Sequence, residues 1–190
     1  MNKPVASIDA SVSIYRIEYE RLKYEQSQRI QFRDNLLLAH LTVVGAIVGF
    51  AITNSHNPLI AYAYLVVPWT SSIIGWAYLN NDIVISKIRN YLRDELSPRL
   101  NKECGVPHAF GWETTVRSSA GRTTRKLAQL FIDLAAFTVP AVAALCRLPY
   151  IHYPTNHDSF PYLVVADVVM ASVFALYMFV WSVSELRNLG

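Results

Sequence analysis

Apolar residues run along this chain in four long blocks, separated by polar and charged segments. A helix needs roughly 20 predominantly apolar residues to cross about 30 Å of hydrocarbon. Residues 35–53, 58–79, 127–146 and 162–184 meet that requirement and predict four transmembrane helices. Asn54, Ser55, His56 and Asn57 form a turn between the first two, and Pro149, Pro154, Asn156, Asp158 and Pro161 punctuate the connection between the last two. Outside the blocks the period is also helical. Ile8, Val12, Tyr15, Tyr19 and Leu22 recur at alternating spacings of four and three, a stripe that fades into Gln26, Arg29 and Arg33. Ile85, Ile88, Leu92 and Leu96 repeat the pattern beyond the second span, and Ser97-Pro98 is expected to end that helix. Residues 101–113, with Gly105, Pro107 and Gly111, read as a loop, and an amphipathic stretch from about Thr114 leads into span three. The expected fold is an all-α integral membrane protein, with four transmembrane helices whose helical cytoplasmic extensions form a small bundle. Its segments are a cytoplasmic amphipathic helix at 1–34, a transmembrane hairpin at 35–79, a cytoplasmic helical and loop region at 80–126, a second hairpin at 127–184 and a tail at 185–190.

Composition supports the membrane reading. Of the 190 residues 53% are hydrophobic and only 16% are charged, with a mean hydropathy of +0.24, which fits poorly with a soluble domain of this size. No Asp, Glu, Lys or Arg lies between Asp34 and Asp82, and between Lys126 and Glu185 there are only Asp133, Arg147, Asp158 and Asp167. This distribution excludes a nucleic-acid-binding domain, a disordered regulator and a small disulfide-rich secreted protein, and no direct nucleic-acid binding is expected. Residues 1–34 hold six Lys or Arg and residues 80–126 hold nine, against Arg147 alone in the two opposite loops. The positive-inside rule then places both termini and the middle region in the cytoplasm. Tyr62, Tyr64, Tyr150, Tyr153, Phe160 and Tyr162 fall at the outer interface, and Trp76, Tyr78, Trp112 and Trp181 at or near the inner one. The first apolar block follows a charged, Tyr-rich segment and lacks a signal-peptide cleavage pattern, so it is expected to be retained. Cys104 and Cys146 are predicted about a bilayer apart, which makes a mutual disulfide improbable.

Ionisable groups inside a bilayer are costly and stand as functional candidates by default. His40 lies six residues past Asp34, and Asp133 seven past Lys126, so at about 1.5 Å rise per residue both sit roughly 10 Å in from the cytoplasmic boundary. They are placed to pair across spans one and three, either as a protonation-sensitive latch or water-filled path, or as a buried polar contact that sets helix register. Asp167 enters span four from the outside and is expected nearer the outer leaflet, with Tyr62, Tyr64, Thr138 or water as its partner. Gly45 and Gly49 make a GxxxG pattern that allows close helix approach. Pro68 and Pro140 can seed kinks at similar depth, static or part of a gate.

Arg117, Arg122, Arg125 and Lys126 abut the membrane and are expected to meet anionic headgroups, with a specific anionic ligand as the sharper alternative. Arg89, Arg93 and Trp112 are further contact candidates for a partner or lipid. Cys104 and His108 have no second ligand pair nearby, so no metal site is expected. No phosphate-binding glycine loop, zincin motif or nucleophile elbow occurs. No catalytic residue, no cofactor and no enzymatic activity are therefore expected.

The Tyr-Glu-rich helix before span one (Tyr15, Tyr19, Glu20, Tyr24, Glu25), the run NDIVISKIRNYLRDELSPRL at 81–100 and the FGWE at 110–113 resemble a family of bacterial four-span integral membrane proteins. Members of that family look like membrane components of anti-phage defence. The resemblance implies a homo-oligomer in the lipid bilayer whose cytosolic helices receive a signal from a protein partner and whose spans perturb permeability. It carries over no catalytic residues. The alternatives are a constitutive scaffold that anchors a cytosolic defence or signalling partner without a pore and, as a third class, a small intramembrane enzyme acting on lipid.

Overall fold

The computed structural model describes residues 5–57, 60–105, 122–150 and 160–187, and every regular element among them is helical. In chain order they are α1 (Val5–Thr53), α2 (Ile60–Tyr91), a π-helical turn (Leu92–Leu96), α3 (Ser97–Cys104), α4 (Arg122–Arg147) with a closing 3-10 turn (Leu148–Tyr150), and α5 (Phe160–Arg187). The chain divides into two compact units. Met1–Arg33 with Asn80–Arg122 forms a hydrophilic unit, and Asp34–Leu79 with Thr123–Gly190 forms a spanning unit.

In the hydrophilic unit the two predicted apolar stripes meet each other. Ile88, Leu92 and Leu96 are buried against Tyr15, Tyr19 and Leu22, so each helix supplies the apolar partner that the other lacks. Polar contacts set the antiparallel register. Tyr91 donates to Glu18 at 2.7 Å, the Asn81 amide bonds both the Arg29 guanidinium and the Arg29 carbonyl, and Arg33 pairs with Asp82 at 3.0 Å. Ile14, Ile17 and Tyr24 remain exposed on α1.

Ser97-Pro98 does not end the helical run. Proline lacks the N–H that would close an α-helical bond to residue 94. The five-residue π turn shifts the hydrogen-bond register just before it, and Pro98 then sits in the first turn of α3, where a missing N–H is tolerated. The termination falls later, at Gly105, whose φ of 65° is the left-handed cap that glycine accepts without a Cβ penalty.

The spanning unit buries a few polar side chains within an otherwise apolar core and exposes many large apolar ones. His40, Ser71, Ser72 and Asp167 are buried, whereas Leu38, Phe50, Ile52, Ile73, Phe131, Val165, Leu176 and Phe179 are exposed. Exposing that much apolar surface is stable only where the surrounding solvent is lipid. Four helices are long and apolar enough to cross a membrane, and the chain is an all-α, multi-pass membrane protein. The apolar window of α2 is 39% buried against 17% in each of the other three, so α2 is the helix around which the others pack.

At one end, Ala61, Leu65, Leu148 and Phe160 form a small core, with Tyr62 edge-on to Phe160 at 5.6 Å. There the Phe50 carbonyl accepts from the Asn54 backbone N–H at 3.1 Å and from the Asn54 side-chain amide at 2.9 Å, closing the end of α1.

Candidate functional site

The polar side chains that the spanning unit buries are organised by α2. His40 on α1 is fully buried, and its Nε2 shares a hydrogen bond of 3.0 Å with Ser71 Oγ. Its ring meets Phe137 of α4 at a tilt of 46° with centroids 4.6 Å apart, and Phe137 in turn meets Tyr78 at 5.2 Å. His40 Nδ1 is buried with no hydrogen-bond partner among the described residues.

Asp167 on α5 is 1% exposed and accepts a bond of 2.6 Å from the Trp69 indole N–H; its second oxygen, Oδ2, is buried without a hydrogen bond among the described residues. Trp69 and Ser71 are two residues apart, so the anchoring points of Asp167 and His40 along α2 differ by about 3 Å. The depth difference expected from counting residues inward from the charged boundaries does not hold at these anchors, because counting assumes that spans begin level and run parallel. Thr138, one partner considered for Asp167, donates instead to the Leu134 carbonyl of its own helix. Asp133 is half-buried on α4, one turn before Phe137.

A glycine that the sequence did not single out controls the close approach. A Cβ on Gly75 would lie 2.3 Å from Phe174 Cζ and 3.2 Å from Phe137 Cδ1. Gly45 and Gly49, by contrast, have no atom within 4 Å of a built Cβ, so their face of α1 is uncovered in the protomer. Pro68 is fully buried within α2, and Pro140 is half-buried within α4.

Two cavities flank Phe174. One is a groove of about 550 Å³ between α2 and α5, walled by Trp69, Ile73, Trp76, Val173 and Tyr177. The other, about 240 Å³, lies between α4 and α5 beside Phe137, Thr138 and Ser172.

In the hydrophilic unit the run at 81–100 is used largely within the protein. Asn81, Asp82 and Tyr91 clasp α1, while Arg89 donates to Ser86 at 3.2 Å and Arg99 pairs with Glu95 at 2.9 Å. The Glu18 carboxylate that accepts its proton holds the Tyr91 phenol above its usual range. Arg93 is exposed and pairs with the adjacent Asp94, which raises its already high pKa.

Trp112, Arg117, His108 and the FGWE segment lie outside the described residues, as do the side chains of Arg122, Arg125 and Lys126. Cys104 and Cys146 are both free and exposed, and no cluster of potential metal ligands occurs among the described residues. Trp69, Ser71, Gly75 and Phe137 are the site residues that sequence reasoning missed; the only signal was the seven-residue spacing of Trp69 and Trp76, which puts both on one helical face. Comparison of the chain with protein-family models, curated proteins and solved structures finds no match.

Proposed function

We propose that this protein is a non-enzymatic, homo-oligomeric component of the bacterial inner membrane, with both termini in the cytoplasm. It acts as a membrane-perturbing effector of anti-phage defence, triggered by a cytosolic protein through its cytoplasmic helices. The observation that carries this reading is the burial of His40 and Asp167 among the apolar spans, where His40 Nδ1 and Asp167 Oδ2 meet no hydrogen-bond partner among the described residues. Such atoms are costly in a static bundle. They become useful in a unit that rearranges and admits water or ions. The exposed apolar spans and the uncovered Gly45 and Gly49 face supply surface for assembly in the bilayer. The defence setting rests on the family resemblance of the Tyr-Glu helix and the run at 81–100.

The test is membrane potential in cells, read with a voltage-sensitive dye, for the wild type and Asp167→Asn, with and without phage challenge, alongside fractionation of the assembled protein. Depolarisation confined to challenge, and lost in the variant while assembly persists, is the expected result. No depolarisation under any condition overturns the effector reading. That outcome would favour a constitutive scaffold anchoring a cytosolic partner without a pore, a reading supported by the exposed Ile14, Ile17 and Tyr24 on α1.

A further inference from the structure

The groove between α2 and α5 is walled by aromatic side chains, and one of them, Trp69, is hydrogen-bonded to the buried Asp167 carboxylate behind it. On α2, Trp69, Ile73 and Trp76 follow one face at spacings of four and three; on α5, Asp167, Met170, Phe174 and Tyr177 follow one face at spacings of three, four and three. The two stripes face each other over about two helical turns, roughly 10 Å. The Trp69–Asp167 hydrogen bond joins them at one end, and the Trp76–Tyr177 ring contact, with centroids 5.0 Å apart, joins them at the other. The volume of about 550 Å³ lies within the range of small-molecule sites, which are mostly apolar with a few placed polar groups.

Lipid tails alone would not call for this chemistry. A carboxylate buried to 1% exposure, with one oxygen bonded to an indole N–H and the other unmatched, has no positive counterpart among the described residues. A charge so placed costs several kcal/mol unless it is neutralised or paired. The same hydrogen bond draws the indole N–H toward negative charge and enriches the π face of Trp69. That ring is half-exposed toward the groove. Electron-rich indole faces attract cations, most strongly where water is excluded.

We propose that the groove binds a lipophilic cation, an ammonium or phosphonium centre carrying apolar groups, with the faces of Trp69 and Trp76 around the charge and Asp167 as its buried counter-ion. The apolar groups lie along Ile73 and Val173 toward Tyr177. This ligand site is independent of the defence setting and of whether the spans conduct ions.

The test compares tetraphenylphosphonium with tetraphenylborate, two ions of nearly the same shape and opposite charge. Binding is measured by equilibrium dialysis and tryptophan quenching on the full chain in phosphatidylcholine nanodiscs, with empty nanodiscs subtracted. The phosphonium should bind saturably and at least tenfold more tightly than the borate. Asp167→Asn, which keeps the shape and removes the charge, should weaken phosphonium binding at least tenfold. Trp76→Ala, at a half-exposed position outside the buried core, should weaken it severalfold with unchanged helix content. Equal binding of the two ions overturns the proposal and assigns the groove to lipid acyl chains. Undiminished phosphonium affinity in Asp167→Asn overturns it as well. If that variant fails to fold, Trp76→Ala decides, and unchanged affinity there refutes the site.

Discussion

Gly75→Ala tests the packing that brings α2, α4 and α5 together. The added methyl carbon would lie 2.3 Å from Phe174 Cζ, 2.9 Å from Phe174 Cε1 and 3.2 Å from Phe137 Cδ1. Carbon atoms in contact rest about 3.5–4.0 Å apart, so the Phe174 ring must retreat by more than about 1 Å. Phe137 is fully buried between His40 and Tyr78 and has little room to yield, whereas Phe174 has a cavity on either side. Overpacking of this kind costs about 1–3 kcal/mol, and the low end applies because the ring has somewhere to go. Alanine also favours a helix over glycine by up to about 1 kcal/mol, which would mask much of that loss in the single variant. A double-mutant cycle with Phe174→Leu separates the two effects, since the helix-propensity gain is the same in both arms and cancels. The coupling should be about 1–2 kcal/mol in favour of the double variant, a factor of about 5–30 in the folding equilibrium. Unfolding by SDS titration from mild detergent micelles, followed by far-ultraviolet ellipticity and tryptophan emission, reads it. Additivity within about 0.5 kcal/mol would refute the contact between Phe174 and Gly75.

Three further predictions concern other contacts. Arg33→Ala or Asp82→Ala should each lower stability by about 1 kcal/mol, since the pair is largely shielded, with side chains 16% and 25% exposed, and the charge-swapped double variant should recover most of it in the same titration. The Glu18 bond raises the Tyr91 pKa, so its stabilisation is complete below the ordinary phenol value of about 10 and is lost as pH rises through the raised one. Tyr91→Phe should therefore be less stable than wild type by about 1 kcal/mol at neutral pH yet decline less between about pH 9 and 11, and parallel pH profiles would count against the bond. Gly45→Leu and Gly49→Leu meet open space, so they should not lower the stability of the protomer, which gains helix propensity, while reducing the mass of the assembly by light scattering in detergent; a drop in protomer stability would place that face inside the protomer instead.

The amino-acid sequence by itself determined the class of this protein. Four apolar blocks free of charge over most of their length leave lipid-spanning helices as the backbone arrangement that satisfies every N–H and C=O, and that conclusion needs no partner residue. The stripes at Tyr15, Tyr19 and Leu22 and at Ile88, Leu92 and Leu96 were legible for the same reason, because helical period is a local property. What fills a polar position inside the spans is not local. His40 looked equally ready for Asp133, and Asp167 for Tyr62 or Tyr64, since residue counting gives depth only along one helix and says nothing of rotation or axial offset between helices. Only tertiary packing decided that α2 is the hub, that Ser71 and Trp69 meet His40 and Asp167, and that the glycine under close contact is Gly75 rather than the GxxxG pair. Pro98 shows the same limit in the backbone: proline removes one hydrogen bond, but whether the helix stops or slips into a π turn depends on whether burying Leu92, Leu96 and Leu100 rewards its continuation.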